Sequence, residues 1–170
     1  MQSVSIDSLH VPTLTVALSV VYVGSALFST LLYLFKRTFR GDRLMILSQA
    51  LFAAAAFGLI AQDRGLPYEF LALTNAGILA ALLCIGHGLA RFGLMSRFLP
   101  WAYAIVPLSV AGWFALGPLG VRARIVMFSL IFAVVGSLFA ADLLRRRSDE
   151  FRGLSALFAL FFVVIGFSGV

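Results

Sequence analysis

Six stretches of apolar residues follow one another along the chain, each bounded by charged residues or by glycine and proline. Each has about the 17–25 residues that a membrane-spanning helix needs, and none alternates as a lipid-facing β-strand does. The pattern predicts an all-α fold, a polytopic membrane bundle of six transmembrane helices. They are Thr13–Phe35, Leu44–Ala61, Phe70–Ala90, Phe98–Leu116, Ile125–Leu144 and Gly153–Val170.

Composition agrees with a membrane protein. Hydrophobic residues make up 62% of the 170 residues and charged residues only 12%, whereas about 25% of a soluble domain is charged. This excludes a water-soluble globule, a disordered chain and a coiled coil. No Lys or Arg precedes Lys36, so the first stretch is a retained helix rather than a cleaved signal peptide. Residues 1–170 are predicted to form a single transmembrane domain.

The basic residues are distributed unevenly between the predicted loops. The chain has 13 Lys and Arg against 7 Asp and Glu, a formal net charge of +6. Ten of the 13 lie in three alternate loops, and the other side keeps only Arg64, Arg122 and Arg124. Cytoplasmic loops are the ones enriched in Lys and Arg, so the amino terminus is predicted outside. The same rule explains the positive charge without nucleic-acid binding, for which a basic recognition element is missing.

Aromatic residues fall near the predicted helix ends. Tyr33 and Trp101 lie near cytoplasmic ends, and Tyr68 and Trp113 near the outer face, as in the interfacial belts of membrane proteins. Pro107 lies inside the fourth stretch, where it is expected to kink the helix and free a backbone carbonyl.

Polar residues within apolar stretches are the default functional candidates, because burying them in a membrane is costly. Gln49 and Asn75 are candidates for interhelical hydrogen bonds or for a ligand contact. His87 is placed near the cytoplasmic face, where it is expected to reach water, with proton sensing or metal binding as the alternatives. Asp142 is expected to pair with Arg145 or Arg146 one turn away, with a proton relay as the alternative.

Small residues recur every four positions in the second and third stretches. Such stripes let helix backbones approach closely. They predict that these two helices pack tightly, with each other or across a homodimer. The residues are Ala50, Ala54, Gly58, Ala72, Ala76 and Ala80.

No cofactor, metal site or catalytic motif is predicted. His10 and His87 fall on opposite sides of the membrane and cannot ligate one haem together, and no Cys, His and carboxylate cluster has metal-ligand spacing. Cys84 is expected to be a small packing residue. Phosphate-binding, nucleophile-elbow and zinc-protease motifs are absent, so this stretch is not expected to be an enzyme by itself.

Several features resemble the membrane-embedded amino-terminal regions of bacterial signalling proteins, most often diguanylate cyclases with a GGDEF domain. They are Asp7 and Val11-Pro12-Thr13 before the first helix, the basic loop Lys36–Arg43, the turn Gly65-Leu66-Pro67 and Trp101 at the start of helix four. The resemblance implies a sensor or anchor in the bacterial inner membrane. It also implies a dimeric cytoplasmic domain that makes cyclic di-GMP, which this stretch lacks. Ser148-Asp149-Glu150-Phe151 resembles the signature's tail by coincidence, since no glycine pair precedes it.

Two functions follow from these features. The first is a sensory or anchoring module for a cytoplasmic output domain; because no polar tail follows Val170, the chain is expected to continue into a longer polypeptide. The second is a self-contained transporter or channel, which needs polar residues near mid-membrane and has only Gln49, Asn75 and the Pro107 kink. Expected partners are the lipid bilayer, a second copy of the chain and a small apolar ligand, although the 17 phenylalanines are also ordinary lipid-facing bulk.

Overall fold

The fold consists of α-helices joined by short connections. The computed structural model describes residues 20–21, 23–25, 27, 29–31, 42–62, 67, 69–95, 100–145 and 160. Four α-helices have both of their bounds within these residues: α1 Asp42–Gln62, α2 Phe70–Arg91, α3 Ile105–Ala115 and α4 Val121–Arg145. Short 3-10 helices, Pro100–Ala104 and Gly117–Leu119, precede and follow α3. The described residues contain no strand, and the all-α prediction is confirmed.

The helix bounds follow the predicted stretches closely. Residues 44–61, 70–90 and 125–144 lie inside α1, α2 and α4, which extend them by a few residues. The first and sixth stretches fall mainly outside the described residues, but their described positions, which lie between 20 and 31 and at Leu160, are helical. Charged residues, and the Gly117-Pro118 pair after α3, therefore lie at the ends of the described helices.

Two of the described helices, α2 and α4, are long and apolar enough to cross a bilayer. They contain 22 and 25 residues. At about 1.5 Å per residue these helices extend roughly 33 and 37 Å, against a hydrocarbon core of about 30 Å. This finding gives limited support to a membrane location.

Helices α1 and α2 pack against each other in antiparallel directions. A Cβ placed on Gly58 would lie 2.5 Å from Thr74 Oγ1, and one placed on Gly88 would lie 3.4 Å from the Met45 side chain. Between these two levels, a Cβ placed on Gly77 would lie 3.8 Å from Ala55 Cβ. As the residue number rises on α1, the number of its partner on α2 falls, and the absence of a side chain at Gly58 allows the closest of these three approaches.

The packed face of α1 differs from the predicted stripe. Ala50 and Ala54 are exposed, Gly58 is partly buried, and the buried face carries Ser48, Phe52 and Ala55. At about 100° per residue, Ala50 points some 200° away from Ser48 and Phe52. On α2 the stripe does face the protein interior: Ala72 and Ala76 are buried and Ala80 is partly buried.

The predicted fourth helix has two parts, a 3-10 helix to Ala104 and the α-helix α3 from Ile105. Pro107 is the third residue of α3. A proline cannot donate a hydrogen bond to the carbonyl four residues earlier, and its ring crowds that carbonyl, which here belongs to Tyr103. The expected disturbance therefore takes the form of a change in helix type just before Pro107.

Contacts between helices define two ends of the bundle. A Cβ on Gly86 of α2 would overlap the Phe139 ring of α4, and one on Gly112 of α3 would lie 2.7 Å from Met127 Sδ of α4. Helices α2 and α4 are therefore parallel to each other and antiparallel to α1 and α3. The exposed residues Arg43, Arg91 and Arg145 come to the same level, which we call the Arg91 end. The other we call the Trp113 end.

Helix α2 ends in a glycine cap that fixes the position of Arg91. Gly93 has φ +80°, a conformation that favours glycine. Its N–H donates to the Ala90 carbonyl at 3.1 Å, and the Leu94 N–H donates to the Leu89 carbonyl at 3.0 Å. These two bonds form a Schellman motif, which satisfies the last carbonyls of a helix.

Candidate functional site

A cluster of polar side chains joins α2 to the start of the fourth segment near the Arg91 end. His87 Nδ1 lies 3.3 Å from the Tyr103 hydroxyl, and that hydroxyl donates to Cys84 Sγ at 3.7 Å. The His87 and Tyr103 rings are tilted, with centroids 6.0 Å apart. Cys84 and His87 are three residues apart and so share one face of α2. We call Cys84, His87, Arg91 and Tyr103 the His87 cluster.

The hydrogen bonds of the His87 cluster have a defined direction. Arg91 Nε donates to His87 Nε2 at 3.4 Å, because a guanidinium has donors only. A neutral imidazole that accepts at Nε2 carries its proton on Nδ1, so Nδ1–H donates to the Tyr103 oxygen. The Tyr103 proton is then directed at Cys84 Sγ. We assign this tautomer from the network, in which each donor points from the exposed Arg91 towards the interior.

The cluster can connect helices, but its thiol is poorly placed for attack on a substrate. Cys84 is only 3% exposed, and it accepts a hydrogen bond from a neutral phenol. Tyr103 is positioned by the 3-10 helix that precedes Pro107. The His87 cluster therefore couples the last turns of α2 to the start of the fourth segment.

Removal of the Tyr103 hydroxyl tests this coupling. We expect Tyr103→Phe to lower the free energy of unfolding by about 1 kcal/mol, since it ends the bonds to both His87 and Cys84. Ser109→Ala is the control, because within the described part of the chain the Ser109 hydroxyl donates to the Val106 carbonyl of its own helix, at 2.7 Å, and not to another helix. Unfolding in mixed micelles measures both variants. Equal losses would show that the Tyr103 bonds add nothing between helices.

Gln49 and Asn75 do not lie in one site. By the antiparallel pairing of α1 and α2, Gln49 is level with Leu83 and Asn75 with Phe57. These levels are eight residues apart on α2, about 12 Å along its axis. Gln49 is partly buried, and its Oε1 is buried with no hydrogen-bond partner among the described residues. Asn75 is partly buried.

Most of the buried hydroxyls on the described helices are satisfied locally. The buried polar residues described are Ser48, Thr74, Ser109 and Ser129. Ser48 donates to the Met45 carbonyl at 2.7 Å, and Thr74 to the Phe70 carbonyl at 3.1 Å; Ser109 bonds its own helix in the same way. A hydroxyl that donates its hydrogen bond to a carbonyl of its own helix does not contribute to a polar pathway between helices.

An aromatic cluster lies at the Trp113 end. Trp113 is fully buried, with 0% exposure, and its ring centroid is 5.7 Å from that of Phe128, which is 6.1 Å from Phe132. The Arg124 guanidinium carbon lies 5.3 Å from the Trp113 centroid. Trp113 was expected in an interfacial belt, but it joins α3 to α4. Trp101 is 67% exposed, and Tyr33 and Tyr68 lie outside the described residues.

Of the predicted site residues, only His87 belongs to a described polar cluster. Cys84 and Tyr103 were missed. The spacing Cys84-x-x-His87 places both on one helix face and was a usable signal, whereas nothing local indicates that Tyr103 meets them. Asp142 is partly buried on α4; its pairing with Arg145 or Arg146 stays a prediction, and Arg146 is outside the described residues.

No protein family model, curated protein or solved structure matches this chain. The described residues contain no group of three or more His, Cys, Asp or Glu side chains that could hold a metal ion. The functional interpretation therefore rests on the His87 cluster, the Trp113 end and the arrangement of the helices.

Proposed function

We propose that the chain is a six-helix sensory or anchoring module in the bacterial inner membrane, with its amino terminus outside. Two described helices of sufficient length support the membrane location. A further support is the exposure of large apolar side chains on the outer surface, such as Leu108 at 67% and Leu138 at 64%. Extended apolar surface is unfavourable in water and suits contact with lipid.

The observation that favours signalling is the position of the His87 cluster at the Arg91 end, the predicted cytoplasmic side. A shift of α2 against the fourth segment would alter the bonds of Tyr103 there. Helix shifts of about 1–2 Å are a common means of transmitting a signal. The module would act on a cytoplasmic output domain, for which a GGDEF-type diguanylate cyclase is our proposal, and work as a homodimer. The exposed small residues Ala50 and Ala54 leave room for a second copy.

Transport is the second candidate, and the buried Oε1 of Gln49 is the observation in its favour. Asn75 lies about two turns away along the helix pair, and the hydroxyls that bond their own helices add no continuous path. A liposome flux assay on the purified protein decides between the two. Flux that disappears in Asn75→Leu or Gln49→Leu would favour transport.

Reporter fusions test the topology of the described part. Alkaline phosphatase is active on the outer side of the inner membrane, whereas green fluorescent protein is fluorescent on the cytoplasmic side. We expect fluorescence and no phosphatase activity for fusions after Gly93, and the reverse after Gly120. These two sites lie at opposite ends of the bundle, so they control for each other. The same reporter response at both sites would contradict a membrane crossing between them.

Reading the encoding DNA beyond the codon for Val170 tests the signalling proposal. An open frame that leads through a further helix into a cytoplasmic catalytic domain is the expected result. The decisive variant would then be Tyr103→Phe in that full protein, with cyclic di-GMP production as the readout. A stop codon directly after Val170, together with no partner cyclase in pull-down, would contradict it.

A further inference from the structure

Arg124 is held in an unusual position at the Trp113 end. Its guanidinium stacks on the fully buried Trp113, 5.3 Å from the ring centroid. Its Nε is buried and has no hydrogen-bond partner among the described residues. A Cβ on Gly117 would lie 2.8 Å from Nη2, so the guanidinium sits where only a glycine leaves room.

The surroundings of Arg124 make its positive charge costly. It lies in the first turn of α4, which contains no acidic residue and also carries Arg122. The helix dipole places partial positive charge at this end, which disfavours cations. The positive-inside rule likewise disfavours arginine on the predicted outer face. An anion bound at Arg124 would relieve both costs.

The contact with Trp113 leaves the guanidinium able to bind such an anion, because a cation–π contact uses none of its N–H donors. Nε is buried, so a ligand would meet the donors of the two Nη atoms. These donors form a fork that matches two oxygens of a phosphate group. Trp113 thus orients the fork without consuming its donors.

The distance along α4 indicates the level of this site in a bilayer. Arg124 and Arg145 are separated by 21 residues, about 32 Å of helix, close to the roughly 30 Å of a hydrocarbon core. With Arg145 at one surface, Arg124 reaches the opposite headgroup layer. This step rests on the membrane position of α4 proposed above.

We propose that Arg124, held against Trp113, binds a phosphate group, either of a phospholipid headgroup or of a free phosphate. The ligand would bridge α3 and the start of α4, because Trp113 and Arg124 lie on different helices. Its binding would stabilise the contact between those helices at the outer end of the module.

The chain supplies a matched pair of variants for the test. Arg124→Gln and Arg122→Gln each remove one positive charge from the same helical turn, but only Arg124 stacks on Trp113. The full chain, carrying Trp101→Phe so that Trp113 is its sole tryptophan, is titrated with phosphatidylglycerol in nanodiscs and with inorganic phosphate. We expect Trp113 emission to shift on binding. Arg124→Gln should weaken binding at least about tenfold and Arg122→Gln no more than about threefold.

Arg124→Lys guards against a folding artefact, since it keeps the positive charge and the contact with Trp113 but loses the paired guanidinium donors. We expect its affinity to lie between those of the parent protein and Arg124→Gln. A response to phosphatidylglycerol alone assigns the lipid headgroup, and a response to inorganic phosphate assigns a free phosphate. Equal losses in the two glutamine variants, or no response of the parent protein to either probe, would overturn the site. Reporter fusions that still place Gly93 and Gly120 on opposite sides would then leave the topology standing.

Discussion

Trp113→Ala is expected to give the largest loss of stability of any single substitution at the described positions. Trp113 is fully buried between α3 and α4, against Phe128 and beneath Arg124. Truncation of a buried tryptophan typically costs about 3–5 kcal/mol, because the surrounding side chains do not close the cavity completely. Part of this cost is loss of dispersion contacts, which a lipid environment does not replace.

Trp101→Ala is the natural control for that experiment. It removes the same side chain from the same predicted segment, but Trp101 is exposed and at the other end. We expect its effect to stay within about 0.5 kcal/mol, as for surface positions in general. Both free energies of unfolding are measured in mixed micelles. Similar losses for the two variants would show that Trp113 is not the packing centre of the α3–α4 contact.

The contrast between the two tryptophans shows where sequence reasoning was insufficient. Both lie near the ends of an apolar stretch, and the prediction of interfacial belts was based on that position alone. Trp113 differs because Gly112 next to it lets Met127 approach, and α4 then covers the indole. Such a contact depends on the rotation of α3 about its axis, which is not encoded in the distance from a helix end.

The ends of the helices were predictable for a clear physical reason. Charged residues such as Arg91 and Arg145 cannot enter an apolar layer at low cost, so they mark the limits of α2 and α4. Which face of each helix packs was not predictable from the sequence. In a soluble helix the polar face identifies solvent, but here Leu108 and Leu138, which are exposed, are as apolar as the buried side chains. The stripe through Ala50 and Ala54 therefore could not decide whether this face packs against α2 or stays exposed for a second copy of the chain, and it is exposed.

Only the α2 half of the His87 cluster was predictable from the sequence. His87 stands out as a polar residue in an apolar run, and Cys84 shares its face at a helical spacing. Tyr103 is 16 residues beyond His87, and its approach depends on the 3-10 helix before Pro107. Proline indicated a disturbance at this point, but not which side chain the altered helix would turn towards α2.

Gly86→Ala is expected to give the second large effect, at the contact between α2 and α4. A Cβ at this position would overlap the ring of Phe139. Phe139 must then leave its rotamer or α4 must move away, and overpacking of this kind costs about 1–3 kcal/mol. The gain in helix propensity, up to about 1 kcal/mol, offsets only part of it. His87 is the next residue, so a displaced α2 also disturbs the bond to Tyr103.

Gly77→Ala separates steric overlap from the general effect of removing a glycine from α2. Its Cβ would lie at an ordinary 3.8 Å from Ala55 Cβ, so the variant should be neutral or slightly stabilised by helix propensity. A double-mutant cycle completes the argument: in a Phe139→Ala background, Gly86→Ala should no longer destabilise, because the overlapping ring is gone. Persistence of the full loss in that background would mean that Gly86 is required for a reason other than its contact with Phe139.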